Sequence, residues 1–162
     1  MNSDLILQFV IFCGVISVIY GFISSKQILS ASAGDNKMQE IASAIQIGAK
    51  AYLKRQYTTI AIVGVIVLIL ISFLFSIWVG LGYVIGATLS GAAGYVGMLI
   101  SVQANVRTAE ASRTSLNDGL RIAFKSGAVT GMLVAGLALL SISVYYFLLL
   151  KLNIDEREIV NA

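Results

Sequence analysis

"QYTTIAIVGVIVLILISFLFSIWVGLGYVIGATLSGAAGYVGMLISVQANV", residues 56–106, runs its whole length without an Asp, Glu, Lys or Arg. A helix needs roughly 20 apolar residues to cross a hydrocarbon core of about 30 Å. This run is too long for one crossing and suits two, with a turn expected at "IWVGLG", residues 77–82, where two glycines stand. Residues 5–25 and 126–150 are charge-free as well. The pattern predicts an all-α, polytopic membrane protein with four transmembrane helices, at about 5–25, 57–78, 82–104 and 127–150. They must be helices, because lipid offers no partner to an open backbone N–H or C=O.

Composition agrees. Hydrophobic residues make up 58% of the 162 and charged residues only 12%, whereas a soluble domain carries about 25% charge. The first run is expected to be retained and not cleaved as a signal, since Asp4 stands where a basic n-region should be. Cys13 is the chain's single cysteine, so no internal disulfide can form.

Charge then orients the spans. Loops on the cytoplasmic side carry an excess of Lys and Arg. Lys26, Lys37, Lys50, Lys54 and Arg55 stand between the first two spans, and Arg107, Arg113, Arg121 and Lys125 between the last two. These are nine of the 11 basic residues; Lys151 and Arg157 share a C-terminal tail with Asp155, Glu156 and Glu158. Both basic segments are therefore expected in the cytoplasm and both termini outside. Trp78, Tyr83, Tyr145 and Tyr146 on one side, and Tyr52 and Tyr57 on the other, suit the two interfaces.

The basic segments read as helical. From Asn36 onward, Met38, Ile41, Ile45, Ala49 and Tyr52 recur at helical spacing, with Lys50 and Lys54 on the opposite face. Asn36 and Gln39 suggest a capping box, and Gly48 suggests a bend. Glu110 and Arg113, three apart, suit a pair on a helix that prolongs span three, which "LNDG" at 116–119 is expected to end. Within span three, Gly82, Gly86, Ser90 and Gly94 recur every four residues, with Gly97 and Ser101 close to the stripe; Gly127, Gly131 and Ala135 repeat the device in span four. Small residues so spaced let helix backbones approach. Spans one and two, bulkier, are expected to face lipid on one side.

No span carries an ionisable Asp, Glu, Lys or Arg at membrane depth, where pumps usually hold one. Histidine is absent altogether. Among the acids between spans, Asp35, Glu40, Glu110 and Asp118, no two are three or four residues apart, and a Mg²⁺–phosphate site wants converging carboxylates. Lys50, Lys54 and Arg55 could attract an anion only weakly. No catalytic, cofactor-binding or metal-ligating residue is assigned, and nothing suggests a nucleic-acid partner.

Three segments nevertheless carry a resemblance. "MQEIASAIQIGAKAYLKRQYTTIAIVG" (38–64), "GATLSGAAGYVGMLISVQANVRTAEASR" (86–113) and "GLRIAFKSGAVTGMLVAGLALLS" (119–141) resemble, in order, the opening part of the membrane-integral pyrophosphatases. Members hydrolyse inorganic pyrophosphate with Mg²⁺ and move protons or sodium ions out of the cytoplasm, usually as homodimers. The resemblance implies an outward N-terminus, and a place for these helices in an outer ring around the catalytic ones. The family's ligands for pyrophosphate and Mg²⁺ lie in aspartate-rich segments beyond these spans, so none is carried over. "DEREIVNA" (155–162) resembles the approach to a fifth span. The expectation is therefore the N-terminal portion of a pyrophosphate-energised ion pump, inert alone, in a bacterial plasma membrane, with the proton-pumping, potassium-independent type favoured. The competing expectation is a self-sufficient four-helix scaffold or assembly subunit.

Overall fold

The structure is a computed structural model that describes residues 3–154 and Ile159. The expectations for the tail charges Asp155, Glu156, Arg157 and Glu158, and for an approach to a fifth span, lie outside the described residues. Four helices form: α1 (Ser3–Leu29), α2 (Asn36–Leu74), α3 (Ile77–Thr114) and α4 (Leu116–Lys151). All four are long and apolar enough to cross a membrane. The 39 residues of α2 make a rod of roughly 58 Å at about 1.5 Å per residue, well beyond the bilayer core. The surplus lies at the end where the basic segments are.

A capping side chain starts each of α2, α3 and α4, and a glycine joins it at the first break only. Gly34 closes the α1–α2 connection with φ +79, a conformation that L side chains rarely adopt. Asp35 then caps α2, its Oδ1 accepting from the Met38 N–H at 2.9 Å. The capping box expected at Asn36 and Gln39 is replaced by a single N-cap one residue earlier, with Met38 at the third position, and the Gln39 amide donates to the Gly34 carbonyl at 2.8 Å. The turn expected at 77–82 falls instead at Phe75 and Ser76, with Ser76 capping α3 through the Val79 N–H. "LNDG" does not end the third helix. Ser115 does, and it caps α4 by accepting from the Asp118 N–H at 3.1 Å while donating to its carboxylate at 2.7 Å. Helix α2 passes through Gly48 without a break. Glycine is tolerated inside these helices because lipid offers their backbone no alternative partner.

The packing order is α2–α3–α4–α1. The α3/α4 and α1/α4 contacts are extensive, α2 touches only α3, and consecutive α1 and α2 do not pack together among the described residues. A small core of Ile28, Ala93, Ile100, Ala104, Val129 and Leu133 lies where α1, α3 and α4 meet. Glycines set the closeness of that seam. A Cβ built on Gly136 would stand 2.7 Å from Ser17 Cβ and 2.9 Å from the Gly14 carbonyl oxygen. On Gly21 it would meet Leu133 at 2.8 Å, and on Gly97 it would meet Thr130 at 2.8 Å. Span one, expected to face lipid on one side, leaves Phe9, Phe12, Ile19 and Phe22 exposed and packs closely on its other side through Gly14 and Gly21.

The expected stripe behaves differently. A Cβ on Gly86, Gly127 or Gly131 would meet nothing within 4 Å, so these three make no close contact within the chain. Gly94 is nearer the expectation, with the Tyr57 hydroxyl 2.9 Å from its built Cβ.

Candidate functional site at the polar end of the bundle

The helix ends that carry the basic segments gather at one end of the bundle, joined by three side chains. Arg107, in the last third of α3, turns its guanidinium toward the C-terminus of α1. Its Nη2 donates to the Leu29 carbonyl at 2.9 Å, Nε to Ala31 at 3.2 Å, and Nη1 to Gln103 of its own helix at 2.8 Å. The last carbonyls of a helix have no partner within it. A planar, permanently charged fork also suits the negative end of a helix dipole. Arg107 thus binds α1 to α3 chemically as well as by packing.

Arg113, two turns on, holds the acids. Its Nη1 lies 3.1 Å from Glu110 Oε2 and 3.3 Å from Asp35 Oδ2. The Glu110 pairing is the one its spacing predicted. Asp35 is the addition that only the fold supplies, since it comes from the other basic segment. The third link joins α4 to α1, where the Lys125 ammonium donates to the Gln27 amide oxygen. Lys50, Lys54 and Arg55, read as a weak anion lure, are exposed on α2, as is Glu40.

At the opposite end, the Tyr145 hydroxyl donates to the Trp78 carbonyl, tying the end of α4 to the start of α3. Between the ends, Tyr57 donates to the Gly91 carbonyl at 2.9 Å and meets Tyr95 edge-on, with ring centroids 5.4 Å apart. These bonds head an open apolar groove of ≈ 600 Å³ between α2 and α3.

Chemically the polar end is an adhesive more than a reaction centre. Asp35 and Glu110 converge, but on the Arg113 guanidinium, which occupies the place between them and offsets one of their two charges. Among the described residues no three of Asp, Glu, His and Cys gather closely enough to hold a metal ion. The described acids, two of them turned onto Arg113, do not fit a Mg²⁺ site. One missed residue had a readable signal: Ser115 followed by Asp118 has the S-x-x-D spacing of a capping box. Arg107 had none, because its partners are carbonyls 76 and 78 residues away.

Known proteins resemble most of this chain. A K(+)-insensitive pyrophosphate-energized proton pump of Methanosarcina mazei is 50% identical over 137 residues, which cover 83% of this chain and 20% of that protein. A second K(+)-insensitive proton pump, from Moorella thermoacetica, is 38% identical, with 83% and 20% covered. A relative from Bacteroides thetaiotaomicron, named for K(+)-stimulated sodium pumping, is 41% identical, with 83% and 19% covered. The chain thus spans about a fifth of the length of the curated relatives it matches. Residues 15–162 match the inorganic H+ pyrophosphatase family as a whole, and on that match the chain belongs to this family.

Proposed function

We propose that the chain is the N-terminal four-helix part of a pyrophosphate-energised ion pump, and that it supplies outer structural helices and not the catalytic site. One observation carries this reading. Most of the chain aligns with pumps about four times its length, while among its described acids Asp35 and Glu110 share Arg113, Asp118 meets Ser115, and no three gather into a metal cage. Pyrophosphate is cleaved only when metals and fixed cations together neutralise the charge that shifts during transfer. The partners of this part are the bilayer and the pump's remaining helices; homodimerisation and Mg²⁺ belong to the full-length protein. Proton pumping without potassium is the preferred activity of the whole, supported by the 50% identity to a pump of that description. The glycines Gly86, Gly127 and Gly131, open within this chain, are suited to receive those further helices.

We place both termini outside the cell membrane and the polar end in the cytoplasm, on the distribution of Lys and Arg. A single cysteine introduced at Ser32 or Ser115, with Cys13 replaced, is expected to resist a membrane-impermeant thiol reagent in intact cells, while one at Asn153 reacts. Labelling of Ser32 or Ser115 before lysis would invert the topology.

Complementation tests the function. The Methanosarcina mazei pump, stripped of the segment this chain matches, is co-expressed with the chain in vesicles. Mg²⁺- and pyrophosphate-dependent proton uptake is expected from the pair and from neither part alone. Mg²⁺-dependent hydrolysis by the purified chain, abolished by Asp35→Ala or Asp118→Ala, would refute the proposal.

A further inference from the structure

Among the cations at the polar end that have no carboxylate partner, two share one cavity. Arg107 is spent on backbone carbonyls and Arg113 on two carboxylates. Arg121 and Lys125 have no carboxylate within ion-pair distance among the described residues, and Lys125 meets only the neutral amide oxygen of Gln27. They stand four apart on α4, on the same face. With Gln27, Ile28, Asp118 and Ile122 they line a cavity of ≈ 260 Å³ between the end of α1 and the start of α4.

The depth of this cavity is set by the charge pattern. Lys125 directly precedes the charge-free residues 126–150, and Lys26 directly follows the charge-free residues 5–25. The cavity therefore opens where hydrocarbon gives way to headgroups. Its floor is apolar, with Ile28 2% exposed. Phe124, between the two cations in sequence, is 82% exposed and offers a ring to the interface. Asp118 spends one carboxylate oxygen on the Ser115 hydroxyl. Two cations and one acid leave a single net positive charge, which matches a phosphodiester with its single negative charge. The Arg121 fork can take two phosphate oxygens at once, with Lys125 a point charge beside it.

We propose that this cavity binds the phosphodiester headgroup of an anionic phospholipid, with Arg121 and Lys125 as its ligands. Basic pockets between transmembrane helices at the membrane surface recognise such headgroups by the same chemistry. The inference needs only that the four helices span a bilayer, so it stands or falls independently of the pump reading.

The test uses the full 162-residue chain, purified in detergent, with native mass spectrometry to count retained lipid. Phosphatidylglycerol and phosphatidylcholine with the same acyl chains are compared. About tenfold preference for phosphatidylglycerol is expected, lost in the Arg121→Gln/Lys125→Gln variant and kept in a Lys50→Gln/Lys54→Gln variant. Circular dichroism checks that each variant remains helical, and Arg121→Lys, which keeps the charge, should retain most of the preference. Displacement of the lipid by millimolar inorganic phosphate would support the phosphate site and identify a soluble source for its ligand. Equal retention of the two lipids by the unaltered chain, or an undiminished preference in the folded double variant, would overturn the proposal.

Discussion

Helices α2 and α4 are built from almost the same apolar alphabet, and they meet opposite fates. None of the most apolar stretch of α2 is buried within the chain, whereas 28% of that of α4 is. Helix α4 lies between α1 and α3, close enough that Gly136 meets the backbone of Gly14. Helix α2 leans on α3 through the Tyr57 ring and hydroxyl, and near the connecting turn where Ser72 faces Gly80, and leaves an open groove between them. Apolarity cannot be what separates them, because lipid tails are as apolar as Leu and supply no drive toward burial. Closeness of approach separates them. Midway along α1 and α4 a glycine stands opposite a glycine and a serine and brings the backbones together, whereas α2 has such a pairing beside its connecting turn, Ser72 with Gly80, and its Ile, Val and Leu meet lipid as readily as protein.

The sharpest way to break this contrast is Gly136→Leu. Its side chain would have to displace backbone, not a flexible side-chain end, so a loss near the upper end of about 1–3 kcal/mol is expected for overpacking. An SDS unfolding titration of the purified chain reads it, with Gly86→Leu as the control. Gly86 has open space around it, and the control should unfold like the parent. Equal losses at the two positions would show that glycine matters here for a reason other than closeness.

Arg107→Ala comes next. It strands the Leu29 and Ala31 carbonyls in the half-buried joint of α1 and α3, at a cost of about 1–3 kcal/mol for polar groups left unpaired. Arg107→Lys keeps the charge but not the fork, and should recover only part of the loss in the same titration. Full recovery would mean that charge alone seats α1.

On the loose side of the molecule, Tyr57→Phe removes the hydroxyl from Gly91 and leaves the ring in place. A loss of about 1 kcal/mol is expected. Cysteine pairs across α2 and α3 near residues 57 and 91 should then cross-link less uniformly, while pairs across α1 and α4 stay unchanged. A larger loss than that of Gly136→Leu would reverse the ranking of the two seams.

Smallest of all is Arg113→Ala. Its side chain is 61% exposed and that of Asp35 57%, so water and salt screen the pair, and about 0.3–0.5 kcal/mol is expected. That difference should vanish in the titration at high ionic strength. A salt-independent loss would mark Arg113 as a packing residue.

Much of this was readable beforehand, for local reasons. The number of helices, their membrane character and the gathering of both basic segments at one end followed from where charge is absent and where it recurs. The Glu110–Arg113 pair followed from a three-residue spacing. Turn positions are less legible, because a glycine that breaks a helix in water is tolerated inside one in lipid. In this chain Gly80 and Gly82 lie inside α3, and Ser76 and Ser115 cap the helices instead.

The amino-acid sequence by itself determined that the chain crosses a membrane four times, because transfer of a residue between water and lipid depends on that residue's own chemistry. Which glycines touch was decided only in three dimensions. Gly86 and Gly136 are indistinguishable as letters, yet one faces open space and the other the Gly14 backbone. The same holds for the cations: Arg107 meets a helix end, Arg113 two carboxylates, and Arg121 lines a cavity between α1 and α4. Contact depends on how helices are placed about one another, and residues more than 70 positions apart carry no local signal of meeting.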